Sequence, residues 1–337
     1  MDSVSQFVLG ASVAVVALGD RTRSWRAVLT GGIVATLPDL DVLIDHGDAV
    51  RNMTCHRADS HALLWLSLLA PLLGWLAAVV HRQRPLWRRW TLAVWLALVT
   101  HPLLDAMTIY GTQLGRPFTD HPFAVGSLFV IDPLYTLPLL VGLVVLLWRG
   151  DRRGRRWNGL GLVLSTAYAA WSLVAQQWAT EAARAALAAQ GLSYTRLVVT
   201  PAPLQTVLWR VLAVGEREAY EGFWSLCDGE RPIVFTRIDR GADTLATLRG
   251  IWAVDRLQWF SGGCTKVERQ GRALRLTDLR MGQEPFYIFS FVVAELGADG
   301  LPVPVVAPER SGARIEVGRA LGWLWPRMWG GDVPTPR

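Results

Sequence analysis

Six apolar stretches crowd the first half of the chain, and that pattern restricts its fold more than any other feature. They run over Val4 to Leu18, Val28 to Ile44, Leu63 to Val80, Trp90 to Ile109, Leu134 to Trp148 and Leu160 to Trp178. Several approach the ~20 residues that a helix needs to cross a hydrocarbon core of ~30 Å, while the first, second and fifth are short or interrupted. Charged residues make up only 18% of the 337-residue chain, against about 25% in ordinary soluble domains. The 51% apolar content and 17 tryptophans exclude a disordered chain, and three cysteines are too few for a disulfide-dense miniprotein. The predicted architecture is an α-helical membrane bundle of about five to six spans or part-spans, with room for one soluble domain of roughly 120–150 residues.

The arginines orient this bundle. Arg21, Arg23 and Arg26 fall in the first connection, Arg82, Arg84, Arg88 and Arg89 in the third, and Arg149, Arg152, Arg153, Arg155 and Arg156 in the fifth. The second and fourth hold only Arg51, Arg57 and Arg116, so the positive-inside rule puts the odd connections in the cytoplasm and both termini outside. The basic clusters then meet lipid headgroups, and a nucleic-acid partner, which needs a basic soluble face, is set aside. Trp25, Trp87, Trp90, Trp148, Trp157 and Trp178 fall near span ends, as aromatic belts do. Val4 to Leu18 lacks the basic start of a signal peptide and follows Asp2, which predicts a retained span or a helix dipping into the outer leaflet.

Beyond Gln190 the period changes. Leu197 to Thr200, Pro203 to Val214, Ile233 to Ile238, Ala273 to Thr277 and Phe286 to Glu295 are short β-branched or aromatic runs between Gly, Asp and Pro, the pattern of strands. The chain therefore divides into a membrane metal-site domain at residues 1–180, a connecting helix end at 181–191 stopped by Gly191, an external β-rich or α+β domain at 192–310, and an amphipathic segment at 311–337. In that last segment Leu321, Trp323, Leu324, Trp325, Met328 and Trp329 alternate with Arg319 and Arg327, which suits an interfacial helix or a buried terminal one. Asp278 and Arg280 form a candidate internal ion pair.

Chemistry enters with the histidines. Asp2, the run Leu37-Pro38-Asp39-Leu40-Asp41, the run His56-Arg57-Ala58-Asp59-Ser60-His61 and the pair His101 and Asp105 all map to the outward side of the bundle. Positions 101 and 105 share one helix face, so an imidazole and a carboxylate converge. A charged group at membrane depth costs several kcal/mol unless it is paired, faces the bundle interior or meets an ion. Neutral imidazoles with carboxylates suit Zn²⁺, and the abundance of carboxylate also permits Mn²⁺. Each element alone has a plainer use, a helix-packing bond, a helix end after Pro38 or an interfacial loop, but one ion accounts for all of them together. His81 reads as solvated among arginines, and His46 and His121 as loop residues.

These residues carry a resemblance. Asp2 with Gln6, the Leu-Pro-Asp-Leu-Asp run, the His-Arg-x-x-Ser-His run, and His101-Pro-Leu-Leu-Asp105 continuing into Tyr110-Gly111-Thr112-Gln113 resemble the bacterial inner-membrane metal-dependent hydrolases related to YdjM and YbcI. The similarity covers roughly residues 1–180, and Trp259 to Ser261 and Leu276 to Gly282 resemble the soluble extension of longer members. It implies metal ligation by Asp39, His56, His61, His101 and Asp105, with Asp2 and Asp41 as further candidates. This chain has Ala58, Ser60 and Ala62 where relatives commonly carry Gly, Thr and Ser, losing backbone freedom and one outer hydrogen-bond donor. The His-x-x-x-Asp spacing is also similar to one ligand pair of zinc-dependent phospholipase C.

The expected activity is hydrolysis by water activated on one or two divalent ions, with Asp41 or Asp59 as general base and Arg57 either stabilising developing negative charge or contacting lipid headgroups. A site near the outer headgroup plane favours an amphiphilic, lipid-linked or phosphoester substrate. Tyr110 to Pro122 and Asp132 to Tyr135 form the longest outward connection, a candidate lid or a passive loop. A divalent-metal carrier and a catalytically silent scaffold are the alternatives, although few polar groups line the cytoplasmic half of the spans. Cys55 abuts His56, while Cys227 and Cys264 lie where oxidation is permitted, as a disulfide or as two buried thiols.

Overall fold

The computed structural model describes residues 1–311 and 317–336. The chain divides into two units, one of Met1–Ile44, His56–Leu173 and Pro203–Gln205, the other of Asp45–Cys55, Val174–Ala202 and Thr206–Arg337. The chain order begins with helices α1 (Ser3–Leu18), α2 (Ser24–Thr36), α3 (Ala49–Cys55), α4 (Leu63–Val80), α5 (Trp87–Ala106), α6 (Pro133–Arg149) and α7 (Arg152–Ala189). Of these, α3 belongs to the second unit, and α7 passes from the first to the second between Leu173 and Val174.

In the first unit α1 is central and packs on α2, α5 and α6. Asp2 starts it by accepting from the backbone N–H groups of Val4 and Ser5. Small residues then let α2 approach: a Cβ added to Gly10 would stand 2.2 Å from Ala35 Cβ and 2.6 Å from the Gly31 carbonyl oxygen. Pro38 follows α2, and the chain tightens into a 3-10 turn over Pro38–Leu43. Polar seams tie α7 to this core, with Asn158 donating to the Ser12 carbonyl at 3.1 Å and Ser165 to that of Tyr135 at 2.6 Å.

Three helical segments are long and apolar enough to cross a membrane among the described residues: Ser3–Arg21, Leu63–Val80 and Arg152–Ala189. Two other expected spans are shorter as helices. α2 has 13 residues because Pro38 intervenes, and α6 has 17. At ~1.5 Å per residue the former covers only ~20 Å. His81 departs from its expected solvated state: it is half-buried, stacked on Trp90 at 4.8 Å between ring centroids, with Nε2 2.9 Å from Thr30 Oγ1.

The second unit is rich in β-structure. An antiparallel meander joins β1 (Arg196–Pro201), β2 (Leu208–Val214), β3 (Glu218–Ser225) and β4 (Thr236–Asp239) in that spatial order. Helices α8 (Ala242–Thr247) and α9 (Trp252–Ser261) precede β5 (Thr265–Gln270), β6 (Ala273–Asp278), the short pair β7 (Gly282–Gln283) and β8 (Phe286–Tyr287), then β9 (Ser290–Leu296) and β10 (Pro302–Arg310). The second four-stranded sheet has the order β10-β9-β6-β5. Ala175, Ala179 and Ala183 of α7 cluster with Val199, Trp209, Val211 and Ile233, so the alanine-rich helix end packs on the first sheet. The helix stops where Gly191 adopts a φ of +64°, which a side chain would oppose.

The amphipathic end forms α10 (Val317–Met328). Residues 312–316 of the expected segment lie outside the described residues. α10 buries Trp323 and Met328 with Leu208 and Phe223, while Leu321, Trp325 and Trp329 stay exposed. All three cysteines are free thiols; Cys264 is buried, but Cys227 is exposed, contrary to the expectation of two buried thiols. Asp278 and Arg280 do form a buried ion pair.

Candidate metal centre

Four side chains from three segments of the first unit converge: Asp39 from the 3-10 turn, His61 from the turn Asp59–His61, and His101 with Asp105 one helical turn apart on α5. His61, His101 and Asp105 are fully buried, and Asp39 is the donor that retains exposure, at 21% of its side chain. All four donor atoms lie within 4.8 Å of one another.

The separations bear on whether these residues fit a metal. His61 Nε2 and His101 Nε2 are 3.0 Å apart. Asp39 Oδ1 lies 3.5 and 3.4 Å from them, and Asp105 Oδ2 lies 3.3 and 3.4 Å from them. A tetrahedral ion with ligands at ~2.0–2.1 Å sets its donors about 3.3–3.4 Å apart, so the set has the right size. Asp105 adds a second indication. Its Oδ1 meets the Met1 amine, Gln6 Nε2 at 3.2 Å and Arg57 Nη2 at 3.3 Å, whereas its buried Oδ2 has no hydrogen-bond partner. A buried lone pair facing two imidazoles and another carboxylate requires a cation or a proton among them.

The local sequence holds His61 by its outer nitrogen. Ser60 Oγ spends its one proton on Asp41 Oδ2, 2.5 Å away, so it accepts from His61 Nδ1 at 2.9 Å. That fixes the tautomer of His61 and leaves the Nε2 lone pair aimed at the other donors. Asp41 also accepts from His56 Nδ1 at 2.7 Å and from the Arg57 backbone N–H at 3.0 Å. Arg57 takes a φ of +62°, a left-handed conformation unusual for a side-chain-bearing residue, while Ala58, at the position where the resemblance implies glycine, has a φ of −92°. The lost glycine therefore does not fall at the left-handed position.

His56 stands outside the four, its ring 6.0 Å from that of His61 and 5.6 Å from that of Tyr110. Asp41 faces His56 and Ser60, Asp2 caps α1, and Asp59 pairs with Arg116 at 2.7 Å on the surface. Arg57 is buried against Asp105 with its guanidinium 4.9 Å over the Tyr110 ring, which removes it from headgroup contact. Gln6, singled out in the sequence only for its resemblance, orients Asp105; no spacing signal marks that contact. The connection after α5 is not uniformly a lid: Thr112 and Gln113 are buried, and Gln113 donates to the Arg57 carbonyl at 2.9 Å, whereas Phe118 is 84% exposed and His121 is exposed.

Comparison with known proteins agrees with this half of the chain. A curated protein of Bacillus subtilis (strain 168), described as the uncharacterized protein YfhP, is 29% identical over 154 residues, which cover 43% of this chain and 46% of that protein. The match thus spans about half the length of the relative. No solved structure matches the chain. The model of the YdjM inner membrane protein family matches residues 1–179, the segment that supplies all four donors, and the chain belongs to that family.

Proposed function

We propose that this chain is a membrane-bound metal-dependent hydrolase, with Asp39, His61, His101 and Asp105 holding a divalent ion, Zn²⁺ before Mn²⁺ from the balance of imidazole and carboxylate. The observation that carries the reading is the unpartnered, buried Asp105 Oδ2 facing both imidazoles. Bound there, such an ion supplies Lewis-acid polarisation of a phosphoryl or acyl oxygen and acidifies water. The rest of the chemistry belongs to the protein's own groups.

His56 is the proton acceptor in this reading. Its Nδ1–H donates to Asp41, so the Nε2 lone pair is available and the ring is held in one orientation. Asp41 becomes the orienting carboxylate rather than the base, and His56 the base rather than a ligand. Arg57 supplies fixed positive charge beside Asp105, suited to an anionic transition state. Leu40, Val42, Leu43 and Ile44 are exposed along the turn that carries Asp39, the solvent-accessible donor. That apolar rim favours an amphiphilic or lipid-linked phosphoester, its polar head at Asp39 and its tail on the leucines and valine. In this reading the helices serve as spans and part-spans of the inner membrane, and the excess of arginines in the odd connections favours a site on the outward side.

Full-length protein supplied with Zn²⁺ or Mn²⁺ is expected to release a polar product from a bacterial lipid extract. His56→Ala and Asp105→Asn each abolish the release, and proteoliposomes take up no ion. Ion uptake without product would make the protein a carrier and overturn the reading.

A further inference from the structure

The β-rich unit holds a cleft of about 830 Å³ whose lining residues all belong to that unit. Small-molecule sites commonly enclose ~300–1,000 Å³. Arg196 opens β1, Arg240 follows β4 and Arg249 follows α8, and all three line the cleft, with Leu245, Ala246 and Val254 as its apolar wall. The acids of the lining are Glu216, exposed beside Arg217, and Asp255, which already accepts the Gly250 N–H at 3.2 Å. Guanidiniums thus outnumber carboxylates three to two.

Arg240 says most about what the cleft takes. It is buried, and its guanidinium donates to backbone carbonyls: Nε to Thr265 at 2.9 Å, Nη2 to Gly263 at 2.6 Å, and Nη1 to Gly215 and Glu216. The other buried arginines of this unit each face an acid, Arg210 at 2.7 Å from Glu221, Arg280 at 2.7 Å from Asp278 and Arg327 at 2.7 Å from Asp228. Burial lowers the pKa of Arg240; at Arg210 burial acts the same way, but Glu221 and Tyr287 outweigh it. Carbonyls satisfy the N–H groups of Arg240 yet carry no net charge, so among the described residues this buried cation has no counter-anion. Arg196 donates from Nη1 to the Gly262 carbonyl at 3.0 Å, next to the Gly263 carbonyl that Arg240 holds, so two of the guanidiniums are neighbours.

We propose that this cleft binds a small phosphate monoester, its phosphate held by Arg196, Arg240 and Arg249 and its organic part against Leu245 and Val254. Guanidiniums from three separate segments suit the three acceptor oxygens of a phosphate better than the two coplanar oxygens of a carboxylate. The ester supplies the anion that buried Arg240 lacks.

The test uses the full-length protein in uncharged detergent, stripped with chelator so that no metal ion holds phosphate. Glycerol 3-phosphate is expected to bind saturably in calorimetry and to slow amide exchange at residues 240–250. Arg196→Ala and Arg249→Ala, at exposed positions, each weaken binding about tenfold. Arg217→Ala, which removes an exposed arginine paired with Asp243 outside the cleft lining, leaves it unchanged. Arg240→Ala abolishes binding, and should that variant fail to fold, Arg249→Ala carries the test. Nanodiscs of phosphatidic acid against phosphatidylcholine separate the two sources of the ester. Slowed exchange with glycerol 3-phosphate supports a soluble ester, and slowed exchange only with phosphatidic acid supports a lipid headgroup. No slowing with either, slowing that persists unchanged in Arg196→Ala and Arg249→Ala, or an equal loss in Arg217→Ala would overturn the proposal.

Discussion

Two buried aspartates, Asp105 of the helical unit and Asp278 of the β-rich unit, are 0% and 1% exposed and are satisfied in opposite ways. Both oxygens of Asp278 accept from Arg280, through Nε at 3.0 and 3.1 Å and Nη2 at 2.7 Å, and Oδ1 also takes the Arg280 backbone N–H. Glu221 follows the same rule, with Oε1 on Arg210 at 2.7 Å and Oε2 on the Glu284 N–H at 3.1 Å. Asp105 crowds its donors onto Oδ1 and leaves Oδ2 toward two imidazoles. A carboxylate that only stabilises a fold uses both oxygens on permanent partners. One that keeps a buried oxygen unspent has the signature of a ligand.

The contrast is broken most directly by removing partners on the structural side. Arg280→Ala strands Asp278 without its guanidinium and is expected to destabilise the β-rich unit by about 3–5 kcal/mol in denaturant unfolding, while metal content stays as in the unmodified protein. Loss of metal with intact stability would place the ligand signature in the wrong unit. A packing change comes next. Gly10→Val drives a branched side chain into Ala35 and the Gly31 carbonyl and is expected to cost about 1–3 kcal/mol in the helical unit, read by thermal unfolding in detergent.

Ser60→Ala sharpens the comparison from the other side. It removes the acceptor that fixes His61 Nδ1, so metal affinity should fall about tenfold with stability nearly unchanged. A smaller and purely chemical difference separates the thiols. Burial, and after it the Asp278 charge, pushes the Cys264 thiol up to about 11. At pH 8 only about one such thiol in a thousand is ionised, rising tenfold per pH unit up to that value. Maleimide followed by mass spectrometry should therefore modify exposed Cys227 within minutes and spare Cys264 until the protein is denatured. Equal rates would contradict the burial.

What the sequence revealed depended on how many chemical rules pointed the same way. Asp39, His61, His101 and Asp105 were legible because polar residues next to apolar runs demand an explanation, and i, i+4 spacing on α5 supplied geometry. That His56 hydrogen-bonds Asp41 and stands outside the four clustered donors was not legible, since it turns on which atom of each faces the donors. Strands β1, β2, β4, β6 and β9 showed as apolar or β-branched runs. β3 was hidden by Glu218, Glu221 and Gly222, because a glutamate buried against Arg210 looks like a loop residue until its partner is seen. β10 was hidden by three prolines, which an edge strand with a register shift between Pro304 and Glu309 tolerates. The membership of Ala49–Cys55 in the β-rich unit is a tertiary fact with no local signal.

The central claim is tested most directly by counting metal in full-length protein, stripped with chelator, reloaded with Zn²⁺ or Mn²⁺, desalted and measured by elemental analysis beside His101→Ala and Asp105→Asn. The account predicts one ion per chain in the unmodified protein and none in either variant. Equal metal in all three, or none in any, would contradict it.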